Sequence, residues 1–122
     1  MQKVLTIHPL KHSKIDSYNR MGFNLEYNGK KLRHIWIDYP ENFQLPNVNN
    51  SNSYLLLTIF DAMKAGLDVE VKGQVDKKLL SNLQVFNSLW AMWYPSLYKK
   101  IQIFPEETTL NVQKFNGSCI AF

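Results

Sequence analysis

The sequence has little of what secreted and membrane proteins depend on. Cys119 is its single cysteine, so no disulfide can form within the chain. No apolar run reaches the length of about 18 residues that a membrane-spanning helix needs. The first residues also lack the apolar segment and the cleavage site of a secretory signal peptide. These absences predict a cytoplasmic protein that does not contact a membrane.

Glycine is too scattered to form a phosphate-binding loop. Such loops place several glycines close together, so that successive backbone N–H groups can converge on the phosphate. The five glycines of this chain lie apart, at positions 22, 29, 66, 73 and 117. We therefore expect the chain to bind no cofactor by itself and to have no enzymatic activity of its own.

Positive charge is concentrated in the first third of the chain. Residues 1–40 contain three acidic residues, all three histidines and seven basic residues, namely Lys3, Lys11, Lys14, Arg20, Lys30, Lys31 and Arg33. Residues 41–122 contain seven basic and seven acidic residues. A basic segment of this kind is typical of surfaces that contact nucleic-acid phosphates. Lysines on an exposed strand also prevent sheets from pairing edge to edge, and the sequence leaves both interpretations open.

Alternating apolar and polar residues predict a β-hairpin over residues 22–38. Its strands cover 22–27 and 32–39. Asn28-Gly29 lies between them and favours a two-residue hairpin turn, because both positions of that turn need a positive φ. A loop rich in proline, asparagine and serine follows at 40–53.

A first helix is predicted over residues 54–65, with Ser53 or Asn52 as its N-cap and Gly66 as its left-handed C-cap. Its polar residues are only Thr58, Asp61 and Lys64. Because a helix that is apolar nearly all round is covered on more than one side, we expect part of its surface to be covered from outside the domain.

A second helix is predicted over residues 76–94, with Asp76 as its N-cap and Pro95 after its end. Apolar residues recur along it at steps of three and four and predict its core stripe. The stripe consists of Leu79, Leu83, Phe86, Trp90 and Trp93.

Further strands are predicted at 4–7, 67–72, 98–104, 110–112 and 117–122. We expect Pro105 to end the strand at 98–104. The strand Gly117–Phe122 is apolar on both faces, as in strands covered on both sides. We expect it to form a junction with another segment or to mediate a homodimer. Together the elements predict a single α+β domain over residues 1–122, with a mixed or antiparallel sheet.

The sequence contains residue types that occur in metal and catalytic sites, but not the neighbouring residues that would complete such a site. His8 and His12 are four residues apart, a spacing that can place two metal ligands together on a helix. However, Pro9 lies between them and no third ligand is near. Cys119 has no neighbouring base and lies in an apolar strand, where a thiol is usually a small core residue.

Two further groups have both a binding and a structural interpretation. Trp90 and Trp93 have the type of side chain that stacks on nucleic-acid bases, but their helical spacing favours the core. Asp61 either faces solvent or contacts a partner. We assign no catalytic, cofactor-binding or metal-binding residue from the sequence.

Three segments of the second half resemble a known family. These are the run Asp61 to Val75 (DAMKAGLDVEVKGQV), Leu79-Leu80-x-Asn82-Leu83, and Trp90-x-x-Trp93-Tyr-Pro95. Together they resemble the region that precedes the nucleotide site in PP-loop ATP-pyrophosphatases similar to 7-cyano-7-deazaguanine synthase. The resemblance covers roughly residues 60–122. In that family a strand like Gly117–Phe122 leads into the ATP-binding loop Ser-Gly-Gly-x-Asp-Ser.

The resemblance implies that this chain is the N-terminal part of a longer protein and ends just before the nucleotide-binding loop. It would be a non-catalytic accessory domain that packs on the nucleotide-binding domain of the same protein, where ATP would bind. Two alternatives stay open on the residues alone. One is a stand-alone intracellular interaction domain, and the other is a nucleic-acid-binding module that uses the basic residues 1–40.

Overall fold

The computed structural model describes residues 4–109, which form six strands and two helices. The α+β class and the mixed sheet are confirmed. The predicted strands at 110–112 and 117–122, with Cys119, lie outside the described residues. In chain order the elements are β1 (Val4–Pro9), β2 (Ser13–Ile15), β3 (Tyr18–Tyr27), β4 (Lys30–Pro40), α1 (Asn52–Ala65), β5 (Asp68–Asp76), α2 (Lys77–Trp93) and β6 (Ile103–Thr109).

The sheet combines antiparallel and parallel pairing. On one side β3 pairs antiparallel with β4, and on the other side it pairs antiparallel with β1 and, further along, with the short β2. β1 pairs parallel with β5, and β5 pairs parallel with β6. Among residues 4–109, β4, β6 and the short β2 each pair along one side only. β2 was not predicted from the sequence.

The predicted hairpin is confirmed, with longer strands than expected. Asn28 and Gly29 turn the chain with φ values of 50° and 85°, as a two-residue hairpin turn requires. The register of β3 and β4 shifts between Leu25 and Glu26, which pair with Arg33 and Lys31. Leu32 therefore has no partner on β3 and forms a β-bulge.

Tertiary contacts set the start of α1. The N-cap is Ser51, not the predicted Ser53 or Asn52, and its side chain does not cap the helix. The buried Ser51 hydroxyl instead donates to the Lys72 carbonyl at 2.8 Å. The Asn52 side-chain oxygen accepts from the backbone N–H of Asp76 at 2.9 Å. At the other end Gly66 is the left-handed C-cap, as predicted.

β5 continues beyond its predicted end at residue 72 because a loop pairs with it. The backbone N–H of Gln74 donates to the Asn49 carbonyl, and the N–H of Ser51 donates to the Gln74 carbonyl. The strand then ends at Asp76, which caps α2 as predicted. Its carboxylate accepts from the backbone N–H of Lys78 at 2.7 Å and from that of Leu79 at 3.3 Å.

The predicted strand at 98–104 is wrong, because β6 begins later and runs through Pro105. The carbonyl of Gln102 accepts from the backbone N–H of Val69 on β5. Because the backbone polar groups of successive residues point to opposite edges of a strand, the nitrogen of Pro105 points away from β5. A proline on an edge strand loses no ladder hydrogen bond. Upstream, the buried Asn87 side chain bonds both the N–H and the carbonyl of Ile101. This contact holds the segment before β6 against α2.

The core lies between the two helices and one face of the sheet. Its buried apolar residues are Leu5, Ile7, Met21, Phe23, Leu25, Val69, Val71 and Val75 from the strands, Tyr54, Leu55, Ile59, Ala62, Met63 and Leu83 from the helices, and Ile101. The predicted core stripe of α2 is correct for Leu83, which is 5% exposed, and wrong for Trp93, which is 57% exposed. Thr58, one of the three polar residues of α1, is buried and donates to the Tyr54 carbonyl at 2.8 Å.

Candidate interaction surface

The outer side of the two helices exposes a broad apolar surface. Leu56 on α1 is 50% exposed and Met92 on α2 is 66% exposed. We call the exposed apolar residues of the two helices the helix surface, which consists of Leu56, Leu57, Phe60, Val85, Leu89, Met92 and Trp93. Exposed apolar patches of this kind mark interaction sites in soluble proteins.

The helix surface lacks charge along α2. After Lys78 the sequence contains no charged residue until Lys99, although half of this stretch faces outward. Outward-facing helix residues are usually polar or charged. Depletion of charge, with aromatic residues and methionine present, is the composition found at the centre of protein interfaces.

A cluster of aromatic rings supports the helix surface from below. Phe60 on α1 lies 5.2 Å from Phe86 and 5.6 Å from Trp90, measured between ring centroids. Trp90 in turn contacts Trp93 at 5.8 Å and stacks on Tyr94 at 5.6 Å. Most of these contacts are tilted or edge-to-face, a preferred arrangement for aromatic pairs. The cluster joins the two helices and holds Trp93 in a defined position at the surface.

The opposite face of the sheet has a different chemistry. No element of residues 4–109 covers it, and its charged side chains pair with one another. The Arg20 guanidinium binds the Asp38 carboxylate through two hydrogen bonds, of 2.6 and 2.9 Å. It also lies 5.0 Å from the ring of Trp36. The hydrogen bond from Arg20 lowers the pKa of Asp38, and the same bond raises the pKa of Arg20.

A histidine–carboxylate contact and one further ion pair lie on this face. His8 Nε2 is 2.6 Å from Glu26, and Lys72 Nζ is 2.7 Å from Glu70. The hydrogen bond to Glu70 raises the pKa of Lys72. Charges that are matched in this way are compatible with full exposure to water. The open face of the sheet therefore combines matched charges with the exposed Trp36, whereas the helix surface has no charged residue along α2 after Lys78.

Between residues 4 and 40, the basic side chains do not form one positive surface. Lys14 pairs with Glu41 at 3.3 Å, and Arg20 is neutralised by Asp38. Lys30 and Lys31 lie at the start of β4, beside the hairpin turn. Glu26 and Asp38 lie directly opposite Lys31 and Arg20 on the open face, so among the described residues this face offers no continuous positive path for a phosphate backbone.

The other candidate residues from the sequence do not form a common site. His8 pairs with Glu26, and the Nε2 atom of His12 is buried without a hydrogen-bond partner among the described residues. Within residues 4–109, no group of three or more histidine, cysteine, aspartate or glutamate residues could hold a metal ion. Asp61 is exposed, as one of its two interpretations required.

The exposure of Leu89, Met92 and Trp93 was not predicted from the sequence. Their spacing predicts only a wide apolar stripe along α2, and the stripe alone does not show which of its residues pack on the sheet. The uncharged stretch after Lys78 was the available signal, since a helix with a solvated face seldom lacks charge over five turns.

Comparisons with known proteins do not assign a family. No family model matches the chain, and neither a curated protein nor a solved structure matches it significantly. Among residues 4–109, neither helix has the length and apolar character needed to cross a membrane.

Proposed function

We propose that the chain is a non-catalytic N-terminal accessory domain of a PP-loop ATP-pyrophosphatase-like protein, similar to 7-cyano-7-deazaguanine synthase. In this proposal the helix surface packs on the nucleotide-binding domain. ATP binds to that domain, and this chain supplies no catalytic residue. The uncharged, aromatic helix surface is the observation that carries the proposal.

The position of the resemblance supports the choice of partner. Two of the three resembling segments, around Leu79–Leu83 and Trp90–Pro95, lie on α2 or directly after it. α2 also supplies four residues of the helix surface. Of the residues in these two segments, Trp93 lies on the helix surface, so the resembling pattern includes the side chain best placed to anchor the interface.

The exposed side chains are large enough to stabilise such an interface. Full burial of a leucine, methionine or phenylalanine side chain contributes about 1.5–3 kcal/mol. Truncation of a tryptophan at the centre of an interface often costs 2 kcal/mol or more, roughly. Trp93 is the best candidate for such an anchor, because Trp90 already fixes its position.

Binding to a separately produced nucleotide-binding domain tests the interface. The partner should carry the Ser-Gly-Gly-x-Asp-Ser loop and come from a protein similar to 7-cyano-7-deazaguanine synthase. We expect Trp93→Lys to weaken the complex at least tenfold, about 1.4 kcal/mol, in calorimetric titrations. Trp36→Lys is the matched control, since Trp36 is 49% exposed on the opposite face. Equal effects of the two substitutions, or an effect of Trp36→Lys alone, would refute the helix surface as the interface.

Two further observations separate this proposal from its alternatives. A reading frame that continues from the codon of Phe122 into Ser-Gly-Gly-x-Asp-Ser would support the accessory domain, and a stop codon there would refute it. A stand-alone interaction domain would still need the helix surface. ATP should bind to the nucleotide-binding domain and not measurably to this chain.

A further inference from the structure

A groove lies between the C-terminal half of α1 and the β3–β4 hairpin. Its volume is about 320 Å³, at the lower end of the roughly 300–1,000 Å³ range of small-molecule pockets. The residues that line it are Leu5, Leu25, Leu32, Arg33, Asp61, Lys64, Ala65 and Leu67. On α1 the groove is lined by Asp61, Lys64 and Ala65, which adjoin the helix surface but do not belong to it.

The β-bulge at Leu32 contributes to the apolar lining. In a regular strand Leu32 and Arg33 would point to opposite faces of the sheet. Because Leu32 has no partner on β3, both residues line the groove. Bulges often redirect a side chain beside a binding site. Leu5 and Leu25, which are 4% and 5% exposed, form the floor.

Three charged side chains surround this apolar floor. Arg33 comes from β4, whereas Asp61 and Lys64 come from α1. None of the three takes part in a salt bridge within residues 4–109. Arg33 and Asp61 thus line one groove from opposite walls without contacting each other.

The mixture of charges selects the class of ligand. An anion bound near Arg33 would also face Asp61, and a cation bound near Asp61 would face Arg33 and Lys64. A ligand with both charges satisfies both walls, and an apolar side chain on it would cover the leucines. The C-terminal end of α1 further favours positive charge beside Asp61.

We propose that the groove binds a free α-amino acid with an aliphatic side chain, such as leucine. Its ammonium group would bind Asp61, its carboxylate would bind Arg33 with Lys64 nearby, and its side chain would contact Leu5, Leu25 and Leu32. The lining residues of the groove include none from α2, so Met92→Lys on the helix surface should leave leucine binding unchanged.

Methyl NMR of the whole chain with three matched probes tests the site. The probes are leucine, 4-methylpentanoate, which lacks the ammonium group, and 3-methylbutylamine, which lacks the carboxylate. We expect leucine to shift the methyl signals of Leu5, Leu25 and Leu32 saturably. Each truncated probe should bind at least tenfold more weakly, because each loses a hydrogen bond to a charged group.

Variants of the groove provide the second arm. Arg33→Gln and Asp61→Asn should each reduce leucine affinity at least tenfold, and Ala65→Leu should block the groove without a change of charge. Lys31→Gln, which removes a nearby charge outside the groove, is the control and should have no effect. Methyl signals that do not move with leucine would overturn the proposal. So would 4-methylpentanoate binding as tightly as leucine, since the groove would then be a site for anionic amphiphiles.

Discussion

Gly22 lies where the backbone of β4 leaves no room for a side chain on β3, and we expect its replacement by alanine to separate the two strands. Gly22 is buried opposite Trp36 in the register of the hairpin. An added Cβ would lie 2.6 Å from the carbonyl oxygen of Ile35 and 3.2 Å from the Cα of Trp36. Both atoms belong to the backbone, so no side-chain rotation can relieve the contact.

The expected cost is about 1–3 kcal/mol, the usual penalty for overpacking a well-packed site. This is a large share of the roughly 5–15 kcal/mol that stabilises a domain. Chemical denaturation followed by circular dichroism measures it. Displacement of β4 should also weaken the Arg20–Asp38 pair two residues away, so the pKa of Asp38 should rise toward its ordinary value.

Two controls isolate the cause. Trp36→Ala should not rescue Gly22→Ala, because alanine keeps the Cα and Cβ atoms that the new methyl group meets. Gly29→Ala adds the same methyl group where no atom lies within 4 Å, so it should cost only about 1–2 kcal/mol for the positive φ. It should leave the pKa of Asp38 unchanged. A stability of Gly22→Ala within about 0.5 kcal/mol of wild type would refute the close approach.

Three further outcomes follow from buried and paired side chains. Leu83→Ala should cost about 2–5 kcal/mol in the same denaturation assay, and a loss below about 1 kcal/mol would mean that α2 packs by a different face. The buried Tyr54 hydroxyl approaches the backbone of Gly22 without a hydrogen bond of ordinary geometry, and burial raises its pKa. Tyr54→Phe should therefore leave stability unchanged or raise it by up to about 1 kcal/mol, whereas a clear loss would reveal a hydrogen bond. Because the folded pKa of Asp38 lies below its ordinary value of 3.8, its pairing stabilises the fold above that pH and is lost as pH falls through the folded pKa. Carbon-detected NMR titration should show the lowered pKa and its return in Arg20→Gln.

Features set by a few neighbouring residues were correct from the sequence. Asn28-Gly29 turns the hairpin because these residues accept a positive φ wherever they occur. Asp76 caps α2 and Gly66 ends α1 through contacts within three or four residues. Asn52 and Ser53 have equally good capping side chains, yet the chain enters α1 at Ser51, because Ser51 and Asn52 bond to β5.

The sequence by itself determined the local turns, the helix ends set by Asp76 and Gly66, and the α+β class, since these depend on short-range geometry and on hydrophobic period. Only the tertiary structure decided which part of the apolar stripe of α2 faces the sheet. As a result Leu83 is buried and Trp93 is exposed. The tertiary structure also decided that β6 passes through Pro105, since a proline is tolerated only where the neighbouring edge is free. The groove depends on residues distant in sequence, because Arg33 of β4 and Asp61 of α1 line it together only when α1 packs on the sheet.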